Sequence, residues 1–205
     1  MTAVGAADAA ALEACLRAGG VAVFPADTVY GLACDPQSAA AVERLYAIKG
    51  RAPDKPAAVM FFGRERAFAA LPELGPRTRA LLGRLLPGGI TALLPNPGRR
   101  FPLACGPDPH TLGLRVPDVR ALEAMPLPVL QSSANHAGAH DARRLQDVPE
   151  DIRRDADLVL DGGELAGTPS TVVDLRRFEL DGVWAVLRAG LVPESDIDRA
   201  VAETT

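Results

Sequence analysis

The chain has 205 residues, a formal net charge of -4, 48% hydrophobic and 23% charged residues, values ordinary for a globular protein. That acidic balance excludes a surface wholly given to nucleic acid, while leaving room for a basic cleft inside an acidic envelope. One domain spanning residues 1–205 is expected at this length. Residues 1–11 lack a basic stretch followed by a long apolar run, and no apolar segment is long enough to span a bilayer, so a cytoplasmic protein without membrane contact is expected.

In chain order, a helix is predicted over 6–18, ending at Gly19-Gly20. Val21 to Phe24 reads as a buried strand broken by Pro25. A second helix starts near Ser38, a good N-cap, carries Val42, Leu45 and Ile48 on one face, and ends close to Gly50. Ala57 to Phe62 reads as a strand, followed by helical material over 64–86 interrupted by Pro72 and Pro76. Further strands are predicted over 91–94, 112–116, 129–132, 158–160, 171–175 and 184–188, with a last helix from 193–195 onward. Residues 95–109, rich in Pro and Gly, read as a surface loop. Strands and helices interleaved in this way imply an α/β or α+β architecture with a mixed sheet and flanking helices.

Several chemistries find no support. Neither G-x-x-x-x-G-K-[ST] nor G-x-G-x-x-G is present, and no Ser-His-Asp arrangement or G-x-S-x-G elbow appears. Cys15, Cys34 and Cys105 are odd in number and far apart, which argues for free buried thiols and against a disulfide framework or zinc site. His136 and His140 are spaced i, i+4, but the intervening Gly138 and the lack of a third neighbouring histidine argue against a metal site.

One bias stands out among the 22 basic residues: the only lysines, Lys49 and Lys55, both lie within 49–55, and the rest are arginine. A compact ammonium does a different job from a planar guanidinium, and a phosphate site can require it. Polar residues also concentrate at strand ends in residues 25–32 (PADTVYGL), 49–56 (KGRAPDKP), 132–135 (SSAN) and 167–171 (GTPST), with Arg188 near the end of the following strand. Taken singly, each is an ordinary turn; Asp27-Thr28 could cap a helix, and Ser133 with Asn135 could satisfy a loop backbone. Together they place cations, hydroxyls and amides where ligand clefts of α/β proteins lie, which indicates an anion- or nucleotide-binding domain.

These segments, in this order, resemble the YrdC family of threonylcarbamoyl-AMP synthases, in its short form. The resemblance runs through residues 21–32, 47–56, 86–91 (LPGGIT), 111–117 (TLGLRVP), 132–135, 169–174 (PSTVVD) and 187–190 (LRAG), nearly the whole chain. It implies a twisted mixed sheet with flanking helices around a deep basic cavity. It implies that L-threonine, bicarbonate or CO2, and ATP yield threonylcarbamoyl-AMP and pyrophosphate, and that a separate transferase complex passes the threonylcarbamoyl group to adenosine in tRNA; a weak direct tRNA contact by this chain is left open.

By the same resemblance Lys49 and Arg51 are catalytic, meeting the charge that develops on the transferring phosphoryl group and on pyrophosphate. Arg51, Lys55, Thr111, Ser133, Asn135 and Arg188 are the expected ATP contacts. Thr28 and Arg115 are the expected threonine contacts, Arg115 being suited to bidentate pairing with a carboxylate. Magnesium is expected to accompany ATP, bound more by the nucleotide than by a protein cage, with no separate metal site.

Three positions depart from the family pattern. Ala26 stands where threonine is common, Met60 where some relatives carry histidine, and Asp141 where a nucleotide-facing hydroxyl is sometimes found. Two other readings remain open: a non-catalytic paralogue of the same fold that binds RNA or a nucleotide, to which the pairs Arg143-Arg144, Arg153-Arg154 and Arg176-Arg177 could contribute, and a carbamoyl-handling enzyme of the same fold.

Overall fold

The structure, a computed structural model, describes residues 4–204. Along the chain it forms α1 (Ala6–Arg17), β1 (Ala22–Ala26), β2 (Val29–Cys34), α2 (Ala39–Lys49), β3 (Ala58–Met60), α3 (Arg64–Ala70) and α4 (Pro76–Leu85). There follow β4 (Ile90–Pro95), α5 (Pro102–Cys105), β5 (Thr111–Arg115), β6 (Val129–Ser133), α6 (Glu150–Asp155) and β7 (Leu158–Val159). The last elements are β8 (Thr171–Arg177), α7 (Phe178–Asp181), β9 (Val183–Arg188) and α8 (Glu194–Ala202).

The strands form one mixed sheet in the order β7-β1-β2-β6-β3-β5-β4-β8-β9. The pairs β1–β7, β3–β5 and β4–β8 are parallel and the others antiparallel. The mixed α/β architecture expected from the alternation of patterns is therefore present. Two expectations are corrected. Pro25 does not end the first strand, and the stretch after it is a second strand paired to the first, Ala26 opposite Val29. A proline fits here because the backbone groups of Val21 and Val23 face β7, where their carbonyls accept from Asp157 and Leu160. The nitrogen of Pro25 points the same way, past the last paired residue of β7, so no ladder bond is lost. Residues 95–109 are likewise more than a surface loop: they contain α5, whose Ala104 and Cys105 are buried, and Asn96, whose side-chain amide donates to the carbonyls of Arg100 and Pro109.

Side chains alternate across the sheet because strand residues point to opposite faces. Val21 and Val23, Val59, Leu112 and Leu114 enter the larger core, which α2, α4 and α8 complete with Leu45, Leu81 and Ile197. Ala22, Phe24, Met60 and Val129 face the other way, into a smaller core closed by Leu12 and Leu16 of α1 and by Leu122 and Met125. Here α1 packs against β1 and β7 at one end of the sheet. Toward the middle of the sheet, between β2 and β8, that face carries several small or polar residues: Ala58, Thr91, Gly113, Gln131 and Ser133.

Candidate functional site

A cleft of about 190 Å³ opens on this face. Its floor is made by Ala58, Thr91, Arg115, Gln131 and Val172, one from each of five strands, and Ser133 stands at the end of β6. Arg51, Asp141, Ser170 and Arg188 form its walls.

The tight turn between β1 and β2 builds one end. Asp27 has φ +54°, a left-handed conformation that a short polar side chain tolerates when it bonds locally. Its carboxylate accepts the N–H of Thr28 at 2.9 Å, the N–H of Asp118 at 3.1 Å and Nη2 of Arg115 at 2.5 Å. That same Arg115 nitrogen donates to Oγ1 of Thr28 at 3.0 Å. Both charged groups are sequestered, Arg115 being 3% and Asp27 10% exposed at the side chain. Burial pushes the Asp27 carboxyl up, and the Arg115 charge with the two backbone donors offsets only part of that. Burial lowers Arg115 from its ordinary value, Asp27 opposes the shift, and the nearby charge of Arg188 adds to it. Nε of Arg115 is buried and has no hydrogen-bond partner among the described residues. An unmet buried donor of this kind costs about 1–3 kcal/mol.

The other end grows out of α2. Ser38 caps its start, accepting from Ala41 N–H at 3.3 Å. Gly50, at φ +61°, ends it in a left-handed turn in which the N–H groups of Gly50 and Arg51 return to Ala47 and Tyr46. That turn sends Lys49 inward and Arg51 toward the cleft. The Lys49 ammonium donates to the Ser133 carbonyl at 2.6 Å, the Asn135 carbonyl at 2.8 Å and Asn135 Oδ1 at 2.7 Å. Burial, with the Arg51 charge beside it, pushes Lys49 down to about 8, against which Asp141 acts. Asn135 also accepts from Ser133 Oγ at 2.7 Å and donates to the Ala139 carbonyl at 2.5 Å. Arg51 donates to the Pro56 carbonyl at 2.6 Å and lies over the Tyr46 ring, while its buried Nε is unpartnered. Across the cleft, Nη2 of Arg188 donates to the Ser170 carbonyl at 2.7 Å, and the hydroxyls of Ser170 and Thr91 are 2.7 Å apart.

Of the residues singled out in the sequence, Arg51, Arg115, Ser133 and Arg188 therefore meet in one cleft. Thr28, Lys49 and Asn135 stand directly behind it, bonded to residues that line it. Lys55 and Thr111 are not in the lining: Lys55 is exposed, and the Thr111 hydroxyl donates to Asp108 at 2.6 Å. Met60 is fully buried in the smaller core. His136 and His140 lie in a turn, and His136 Nε2 is 3.1 Å from an Asp151 carboxylate oxygen. Asp27, Thr91, Gln131 and Ser170 were missed as site residues. For the middle two the available signal was only a polar residue inside an otherwise apolar run, Thr91 in β4 and Gln131 ahead of Ser132-Ser133 in β6.

A single mixed sheet with flanking helices, and a cleft lined by Arg51, Arg115, Arg188 and Asp141, defines a protein of the mixed α/β class. The Sua5/YciO/YrdC family model, described as telomere recombination, matches residues 14–190. The chain belongs to this family. A curated Chromohalobacter salexigens protein named threonylcarbamoyl-AMP synthase is 39% identical over 173 residues, 81% of this chain and 91% of that protein. A Pyrococcus abyssi protein of the same name is 28% identical over 92% of this chain, which spans only 55% of its length. Among solved structures, P. abyssi Sua5 complexed with L-threonine aligns with a TM-score of 0.84 and 28% identity, covering 97% of this chain and 58% of that one.

Proposed function

We propose that this chain is a threonylcarbamoyl-AMP synthase, joining L-threonine, bicarbonate or CO2, and ATP into threonylcarbamoyl-AMP with release of pyrophosphate. The observation that carries the reading is Arg115: a guanidinium of the cleft lining, buried and held by Asp27 and Thr28. That is the arrangement a small carboxylate such as that of an amino acid requires. The names borne by the bacterial and archaeal relatives, and the L-threonine in the P. abyssi complex, supply the substrate class.

In this reading Arg115 holds the threonine carboxylate, positioned by Asp27 and Thr28. The deprotonated threonine amine adds to CO2, forming a C–N bond and losing a proton to give the carbamate. A carbamate oxygen then attacks the α-phosphorus of ATP, and the bond to the β-phosphate bridging oxygen breaks as pyrophosphate departs. Arg51 and Arg188, both in the cleft lining, meet the negative charge that builds on the phosphoryl oxygens and the leaving group. Lys49 acts one step back. Its ammonium spends its protons on Ser133 and Asn135, so it fixes the Ser133 hydroxyl and adds positive potential to the cleft. Lys55 and Thr111 are left out of this assignment.

Magnesium would arrive with the triphosphate; among the described residues no three His, Cys, Asp or Glu side chains converge into a cage of their own. No helix among the described residues is long and apolar enough to cross a membrane, and a cytoplasmic site of action follows from a product passed to a tRNA-modifying transferase. The test is pyrophosphate release from ATP, with L-threonine and bicarbonate supplied or withheld singly. Release that requires all three, with the adenylate detected by mass, is the expected result. Folded protein that binds a nucleotide or RNA without releasing pyrophosphate would replace this reading with that of a binding paralogue.

A further inference from the structure

Asp141 places a carboxylate in the wall of the cleft, where every other charged side chain is an arginine. Its backbone is held on both sides. The Ala139 carbonyl accepts from Asn135, the Ala142 carbonyl accepts from the Tyr30 N–H at 2.9 Å, and Ala142 is buried. The side chain cannot simply swing away with its loop.

Nor is the charge neutralised by a direct partner. The neighbouring cations bond other groups: the Lys49 ammonium bonds Ser133 and Asn135, one Arg51 nitrogen the Pro56 carbonyl and one Arg188 nitrogen Ser170, and none of them bonds Asp141, while the other guanidinium N–H groups stay available to a ligand. Asp141 raises the charge affinity of Lys49 from a distance, but among the described residues its carboxylate takes part in no hydrogen bond or ion pair.

An unpaired carboxylate facing a triphosphate is repelled by it unless a cation stands between them. Three arginines alone would favour the more highly charged, metal-free nucleotide. We infer that Asp141 makes this cleft select the magnesium complex of ATP, its carboxylate facing the divalent cation directly or through a bound water, so that metal-free ATP is rejected. Magnesium suits the arrangement because it keeps several waters and takes one or two protein carboxylates beside phosphate oxygens. This inference rests on the proposed nucleotide site and adds to it a preference set by one residue of this chain.

The experiment is calorimetric titration of the full chain with ATP, without L-threonine so that no turnover occurs, once with excess magnesium and once with EDTA. Native protein, Asp141→Asn and Asp141→Ser are compared, with circular dichroism melting to verify that each is folded. The native protein is expected to bind the magnesium complex at least about tenfold more tightly than metal-free ATP. In both variants the preference should vanish or invert, metal-free ATP binding as tightly as the magnesium complex or more so. A native protein that binds the two forms equally, or variants that retain the native preference, would overturn the inference while leaving the nucleotide site standing. Failure of the folded native protein to bind either form would instead bring down the synthase reading, and this inference with it.

Discussion

Replacing Asp27 with alanine would leave the Arg115 guanidinium, 3% exposed, without its carboxylate partner. The two surviving acceptors are the Thr28 hydroxyl at 3.0 Å and the Ala26 carbonyl at 3.4 Å, neither charged. Breaking one side of a buried pair in this way costs about 3–5 kcal/mol, a large part of the about 5–15 kcal/mol that holds a domain together. The reverse change, Arg115→Met, is milder at about 1–3 kcal/mol, because Asp27 keeps the N–H groups of Thr28 and Asp118. The double variant should be more stable than Asp27→Ala alone, since it removes the stranded charge, giving a coupling of roughly 2 kcal/mol in a double-mutant cycle. Urea unfolding followed by circular dichroism at neutral pH reads all four corners. The pair also has a pH signature. With the folded Asp27 carboxyl raised by burial, the native state binds a proton that the unfolded state lacks in the window just above the ordinary carboxylate value. Stability should therefore fall as pH rises through that window, and Asp27→Asn should remove the slope. An Asp27→Ala loss below about 1 kcal/mol would show that the guanidinium is not sequestered, and the argument for a preformed carboxylate site would go with it.

The Lys49 ammonium, pushed down to about 8, gives an opposite slope. Between that value and the ordinary lysine value the unfolded chain holds a proton that the native state has lost, so stability should rise with pH by up to about 1.4 kcal/mol per unit relative to Lys49→Met. Synthase activity should decline over the same rise, as the proton that holds Asn135 is lost; a pH–rate profile unchanged in Lys49→Met would refute the link. Gly190→Ala should be severely destabilising, by several kcal/mol in chemical unfolding, because the added Cβ would collide with the Pro169 carbonyl and fall 2.5 Å from the Thr171 nitrogen, backbone that cannot yield cheaply. A mild effect would mean that the turn carrying Ser170 is softer than its packing implies. Thr111→Val and Lys55→Ala should leave ATP affinity within about twofold, measured by the same calorimetry, since neither side chain lines the cleft. A tenfold loss in either would extend the nucleotide site beyond these walls.

The sequence by itself determined the mixed α/β class and placed α1, α2, α8 and most of the strands to within a few residues, because apolar periodicity, Ser38, Gly50 and Pro76 are local signals with local causes, while β2, α5, α6 and α7 went unread. Arg51, Arg115, Ser133 and Arg188 were legible from the polar runs at strand ends and from the family resemblance. What only the tertiary structure decided is who stands next to whom. The β1–β2 turn looked like a loop after a broken strand because a proline normally ends pairing; the side of the strand on which its nitrogen falls depends on where β7 stops. Asp27 reads as a turn residue until Arg115, 88 positions later, is laid beside it. Lys49 reads as a phosphate-binding cation until Ser133 and Asn135 take up its protons. Asp141 reads as a departure from the family pattern, and only the fold sets its carboxylate among three arginines. Periodicity records which face of an element is apolar; it carries no information about which partner satisfies a buried charge, because that partner is set by strand order across the sheet and not by distance along the chain.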